Sequence, residues 1–195
     1  MVSKKEIIAS LDKCFDKKVL VIGDLMLDEY HWCSVNRISP EAPVPICRVN
    51  KTTLVPGGAG NVAKNIQALG CEAFLVGIIG MDSSGEKLMQ VLLDANIKSD
   101  YLIKAKDRAT ILKSRVVAHH QHVVRVDRED SITIKRKNRN AIFNAISSCI
   151  DNSDIVLISD YLKGTLPDTL LQRIITLAKE KGLKVVIDPK GTDYK

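Results

Sequence analysis

Pro56-Gly57-Gly58-Ala59-Gly60-Asn61 decides how this chain is read, because it sets glycines and an amide directly before a helix. Val62, Ala63, Ile66 and Leu69 recur at helical spacing, and Gly70 supplies a stop. Glycine permits positive φ and lets a ligand approach bare backbone, while the first helical turn offers unpaired N–H groups and the positive end of a dipole. Such a turn suits a hydroxyl-rich or phosphorylated small molecule. It is neither a Gly-x-Gly-x-x-Gly fingerprint nor a P-loop, and a tight strand-to-helix connection would look the same.

Towards the N-terminus, Val19-Leu20-Val21-Ile22-Gly23-Asp24 reads as a buried strand ending on glycine and a carboxylate. Ligands of open α/β sheets sit outside the carboxyl ends of strands, so Asp24 is a candidate to hold a substrate hydroxyl. A turn or helix-cap role is the alternative. Asp28 follows four residues later. Beyond the glycine turn, strand and helix signals alternate: Glu72–Ile79, a helix from the capping-box spacing of Ser83 and Glu86, Asp154–Ser159, a helix through Leu170, Ile174 and Ala178, and Leu183–Ile187. That rhythm predicts an α/β fold, a parallel sheet flanked by helices.

Two segments break the rhythm and read as β: about 30–50, and 109–127 around the turn-like His119-His120-Gln121-His122. In the second, Lys113 and Arg115 are two residues apart, share one strand face and are placed to converge on a phosphate; an exposed basic strand edge is the competing reading. The histidines lack an obvious carboxylate partner, and no metal site is predicted from them.

With 45% hydrophobic and 27% charged residues the 195-residue chain can bury a substantial core. No apolar run approaches the roughly 20 residues of a membrane span, and the start lacks the apolar stretch of a signal peptide. The scattered cysteines form no Cys-x-x-Cys pair, so reduced thiols and a cytoplasmic setting are expected. A net charge of +6 fits an anionic ligand. Nucleic acid is disfavoured, since only 4% of residues are aromatic and the basic run Lys135–Arg139 opens a helix, as a solvated face would.

Five segments in order carry a resemblance: Val21-Ile22-Gly23-Asp24-Leu25-Met26-Leu27-Asp28, Arg37-Ile38-Ser39-Pro40-Glu41-Ala42-Pro43-Val44-Pro45, Pro56–Ala63, Ser159-Asp160-Tyr161-Leu162-Lys163-Gly164, and Ile187-Asp188-Pro189-Lys190-Gly191-Thr192-Asp193. The series resembles the kinase domain of bacterial D-glycero-β-D-manno-heptose-7-phosphate kinases, within the ribokinase or phosphofructokinase-B family. The Arg37–Pro45 segment points to the heptose branch.

The resemblance implies a ribokinase-like fold with a small β lid, and transfer of phosphate from ATP, with Mg2+, to the 1-hydroxyl of heptose 7-phosphate in lipopolysaccharide core biosynthesis. It implies that Asp24 and Asn61 hold sugar hydroxyls, that Gly57 and Gly58 admit the ring, and that Arg37, Lys113 and Arg115 neutralise phosphate. Asp160 would orient the sugar or a magnesium-bound water; Lys163, Asp188 and Lys190 would face the phosphoryl path or nucleotide. A homodimer through the lid is implied, with no nucleic-acid or membrane partner. The family's Asn-x-x-Glu and Gly-Ala-Gly-Asp motifs do not occur in these residues. The expectation is therefore the N-terminal portion of one ribokinase-like domain, whose catalytic base and nucleotide-binding part lie beyond Lys195. Alternatives are a binding and dimerisation module without activity of its own, or a kinase for another sugar phosphate.

Overall fold

The computed structural model describes residues 3–6, 14–130 and 132–190, so Gly191, Thr192 and Asp193 of the last motif lie outside the described residues. In chain order the elements are β1 (Lys18–Gly23), β2 (Leu25–Ile38), β3 (Pro45–Gly58), α1 (Ala59–Ala68), β4 (Glu72–Gly80) and α2 (Ser83–Asp94). They continue as β5 (Leu102–Ala105), β6 (Ile111–Ala118), β7 (Gln121–Arg128), α3 (Arg136–Cys149), β8 (Ile155–Asp160), α4 (Asp168–Glu180) and β9 (Lys184–Pro189).

The core sheet runs β5-β4-β1-β8-β9, and every pairing in it is parallel. Its central strands are apolar on both faces because helices cover both. Leu20 and Ile22 of β1 pack with Val156 and Ile158 of β8 under Ile142 and Ile146 of α3 and Leu170 and Ile174 of α4. Val19 and Val21, one residue out of phase, pack with Ala63 of α1 and with Leu88 and Leu92 of α2 on the opposite face. The predicted parallel α/β sheet is the observed one. One helix start differs from expectation. Asp82, a residue earlier than the Ser83 capping box, caps α2 by accepting from the Gly85 N–H at 2.8 Å.

A second sheet, ordered β3-β2-β6-β7, forms the lid. It includes strand residues outside both predicted segments. β2 begins at Leu25, so Asp24 is the single residue at which the chain leaves the core sheet for the lid, and β3 runs on through Gly57-Gly58 into α1. β2 pairs antiparallel with β3 and parallel with β6, which pairs antiparallel with β7.

The β6–β7 turn places His119 at φ 49° and His120 at φ 63°. Two successive positive φ values define the hairpin turn that Asn-Gly fills most readily, whereas an ordinary side chain there costs roughly 1–2 kcal/mol. Replacing His119-His120 by Asn-Gly is expected to stabilise the protein by about 1–2 kcal/mol. A thermal midpoint that stays level or falls in differential scanning calorimetry contradicts this account of the turn.

Candidate sugar-phosphate site

At the carboxyl edge of the core sheet, under the lid, lies a cavity of about 540 Å³ lined by Asp28, Tyr30, Gly57, Gly58, Asn61, Lys113, Arg115, Arg125, Tyr161, Lys163 and Lys190 with Met26, Val55 and Pro56. Each element delivers its side chains by its own geometry. Met26, Asp28 and Tyr30 alternate along β2 and share a face, as Lys113 and Arg115 do along β6. Arg125 stands opposite Arg115 in the β6–β7 register. Asn61 sits in the first turn of α1. Tyr161 and Lys163 come from the β8–α4 loop, and Lys190 follows β9.

The glycine turn is needed for its own packing as well as for access. Gly58 has φ 57°, and a Cβ there would fall 2.3 Å from the Asp24 carbonyl oxygen, which accepts the Ala59 N–H that begins α1. At Gly57 a Cβ would lie 2.4 Å from Oδ2 of Asp28, so the missing side chain lets that carboxylate lie against backbone.

Among the described residues, five cationic side chains line the cavity against the single carboxylate of Asp28. Carboxylates outside the lining hold Lys113, Arg125 and Lys163 in place. Lys113 Nζ donates to Asp127 at 2.9 Å and to Glu129 at 3.2 Å, while Lys163 Nζ donates to Glu129 at 2.7 Å. The Arg115 guanidinium donates to Asp28 and lies over the Tyr30 ring, 5.1 Å from its centre. Lys190 stands over the Tyr161 ring at the same 5.1 Å. The cavity therefore presents preorganised cationic donors beside the carboxylate of Asp28, the amide of Asn61 and bare glycine backbone.

These contacts fix an acid sensitivity. Lys163, and with it Lys113, holds the Glu129 carboxyl below its ordinary range, and Lys113 and Arg125 do the same for Asp127. For a carboxyl whose folded pKa is depressed, the stabilisation is complete above its unfolded value and disappears as pH falls through the folded one. Thermal stability is thus expected to decline as pH drops from about 5 to about 3. Glu129→Gln should flatten part of that decline; a variant with the wild-type pH profile would show that the cross-link contributes nothing.

Several expected site residues fall elsewhere. Asp24 is fully buried, and its carboxylate accepts three backbone N–H groups of the β8–α4 loop: Tyr161 at 2.8 Å, Lys163 at 3.1 Å and Thr165 at 3.3 Å. Both of its oxygens are engaged and it does not line the cavity, so in this structure Asp24 anchors the loop, and the expected contact with a hydroxyl is not one that the cavity's lining supplies. Asp28, four residues on, is the carboxylate that faces the cavity. Arg37 is exposed near the far end of β2, roughly 30 Å along the strand from Asp28, and is not part of the lining.

Asp160 lies at the same sheet edge but does not line the cavity; it accepts the Leu162 N–H at 2.9 Å. Burial, with the charges of Asp24 and Asp168, pushes its carboxyl up. Asp188 is exposed at the end of β9, also outside the lining. Lys163 and Lys190 lie on the same cavity as Lys113 rather than apart from it. Tyr30, Arg125 and Tyr161 are lining residues that were not anticipated; the period-two pattern of β2 and the pairing of β6 with β7 are the signals that point to them.

Among the described residues no three histidine, cysteine or acidic side chains converge to hold a metal ion. The donor set present fits a sugar phosphate and does not itself build a magnesium site.

A three-layer α/β core with a β lid over a polar cavity at its carboxyl edge is the architecture of ribokinase-like sugar kinases. The likeness to solved structures agrees with it. A carbohydrate kinase from Agrobacterium tumefaciens superposes with a TM-score of 0.66 at 20% identity, over 88% of this chain and 53% of that one. The 2-dehydro-3-deoxygluconokinase of Thermotoga maritima gives 0.67 at 17% identity, over 90% and 51%. The model of the pfkB family carbohydrate kinases matches residues 16–195, and the chain belongs to that family. It is also similar to bifunctional protein HldE of Sulfurimonas denitrificans, 42% identical over 182 residues, and of Geobacter sulfurreducens, 42% over 175. Those matches take in 93% and 90% of this chain, which spans 38% and 36% of the relatives' lengths.

Proposed function

We propose that this chain forms the sugar-binding part of an ATP-dependent kinase that phosphorylates D-glycero-β-D-manno-heptose 7-phosphate at its 1-hydroxyl. The observation that carries the reading is the convergence of Asp28, Asn61 and the bare Gly57-Gly58 backbone with five cations in one cavity of about 540 Å³. That volume suits a single small ligand, and the charge suits one already phosphorylated. Asp28 and Asn61 bind hydroxyls of the ring, Gly57 and Gly58 let it approach, and Lys113, Arg115 and Arg125 take the existing phosphate. The choice of heptose rests on the Arg37–Pro45 segment and on the similarity to the bifunctional HldE proteins. A kinase implies ATP and, typically, Mg2+, but the side chains described here act on the sugar phosphate. The cytoplasm is the compartment this reading implies; among the described residues no helix is long and apolar enough to cross a membrane.

Calorimetric titration tests the assignment. The chain is expected to bind heptose 7-phosphate at least tenfold more tightly than the unphosphorylated heptose. Equal affinity for the two sugars would remove the phosphate role, and tighter binding of fructose 6-phosphate would move the chain to another sugar.

One observation favours self-association as well. Val124 and Val126, 48% and 58% exposed, lie on the lid face opposite Arg125, and Val49 at 52% adds to the lid's uncovered apolar surface. We propose that the lid pairs with a second copy through this surface. Sedimentation that shows a dimer for the wild type and for Val126→Lys alike would exclude it.

A further inference from the structure

Arg108 sits on the turn between β5 and β6, where the chain enters the lid, and the turn is pinned to the core. The Thr110 N–H donates to Asp82 at 2.8 Å, and the Thr110 hydroxyl accepts the Gly80 N–H at 2.8 Å. From that seat the guanidinium reaches two other segments. It donates to the Ile132 carbonyl at 2.9 Å, on the return from the lid to α3, and to the Lys163 carbonyl in the β8–α4 loop. Burial pushes its pKa down, opposed by the charges of Asp24 and Asp130, and among the described residues it forms no ion pair within 4.0 Å.

A half-buried guanidinium that bonds two carbonyls instead of a carboxylate does so at a desolvation cost. What it secures is the geometry of three chain segments: the outgoing lid connection, the returning one, and the loop that carries Tyr161 and Lys163 into the cavity. Asp24 holds that loop by its N–H groups at Tyr161, Lys163 and Thr165, and Arg108 holds it by the carbonyl of Lys163. A planar fork with fixed donors can bridge two carbonyls at once; a lysine ammonium on a flexible stem fixes neither direction.

We propose that Arg108 is a positioning residue for the sugar-phosphate site, setting Lys163 against the cavity in register with both lid connections. The proposal rests on the reading of the cavity as a sugar-phosphate site. It differs from a purely structural role because its effect on ligand passes through Lys163. In the full chain, Arg108→Lys is expected to weaken heptose 7-phosphate binding about tenfold, as is Lys163→Ala, and the double variant to be no weaker than Lys163→Ala alone. Arg108→Gln, prepared alongside, reports the same coupling if the lysine variant does not fold.

Amide exchange at 161–165 should speed up at least tenfold in the arginine variants, with β1, β4 and β8 unchanged. Additive losses in the double variant, or unchanged affinity in both arginine variants, would overturn the positioning role. Failure of the wild type to bind the sugar phosphate would instead refute the function proposed above, and the exchange rates would still decide whether Arg108 orders the loop: unchanged rates at 161–165 would sink the proposal on that ground alone.

Discussion

Asp24→Ala is expected to lower stability by at least about 3 kcal/mol, which for a chain of this size corresponds to a fall of roughly 6–12 °C in the melting midpoint. The substitution removes an acceptor from three backbone N–H groups at once and strands them in a region where Asp24 itself is fully buried. Each buried donor left unpaired costs about 1–3 kcal/mol, and bonds to a charged acceptor are at the strong end. Asp24→Asn keeps the shape but turns one acceptor into a donor facing N–H groups, so it should lose most of the same stability. Weakened sugar binding would follow, because Tyr161 and Lys163 lose their anchor. A variant with wild-type melting behaviour and reduced affinity would return Asp24 to direct contact with the sugar.

Lys113→Ala combined with Arg115→Ala is expected to reduce affinity for heptose 7-phosphate by about 10²–10⁴-fold. Two charge-assisted hydrogen bonds to phosphate at about 1.5–3 kcal/mol each give this range. Affinity for the unphosphorylated heptose should change by less than tenfold, since Asp28, Asn61 and the glycine backbone remain. Folding should survive, because the two residues lie on the cavity face of β6 and not in either hydrophobic core cluster. Parallel calorimetry with the two sugars checks this: equal losses for both would show that the double variant collapses the site rather than its phosphate end.

The fold was legible where local patterns decide it. Val19–Ile22 and Ile155–Ile158 announce buried strands by unbroken apolar runs, and helix faces show at Leu170, Ile174 and Ala178. Lys113 and Arg115 were legible as a pair because alternation along a strand is a local property. The placement of Asp24 and Asp28 relative to the cavity was not. Both are acidic residues after the same strand, and what separates them is a loop 137 residues away whose N–H groups claim Asp24. No periodicity reports such a partner. Arg37 lies outside the lining because β2 runs on through Ile38 and carries it along the strand away from Asp28, a distance that a β reading of 30–50 does not report. Arg108 carried no local signal, since its acceptors are carbonyls and every residue has one.

The alternation of β2 divides its residues between two employments. Asp28 and Tyr30 face the cavity, while Glu29, between them, accepts from Ser114 at 2.9 Å and lies 3.1 Å from His31 on the outer face. Successive positions on one strand therefore meet different surroundings. On the function proposed above, a substitution at Asp28 or Tyr30 is expected to change ligand binding and to leave the outer bonds of the lid in place, whereas one at Glu29 is expected to change how the lid coheres. One leaf thus turns a charged, ring-bearing face to the cavity and keeps a separate set of bonds on its other side.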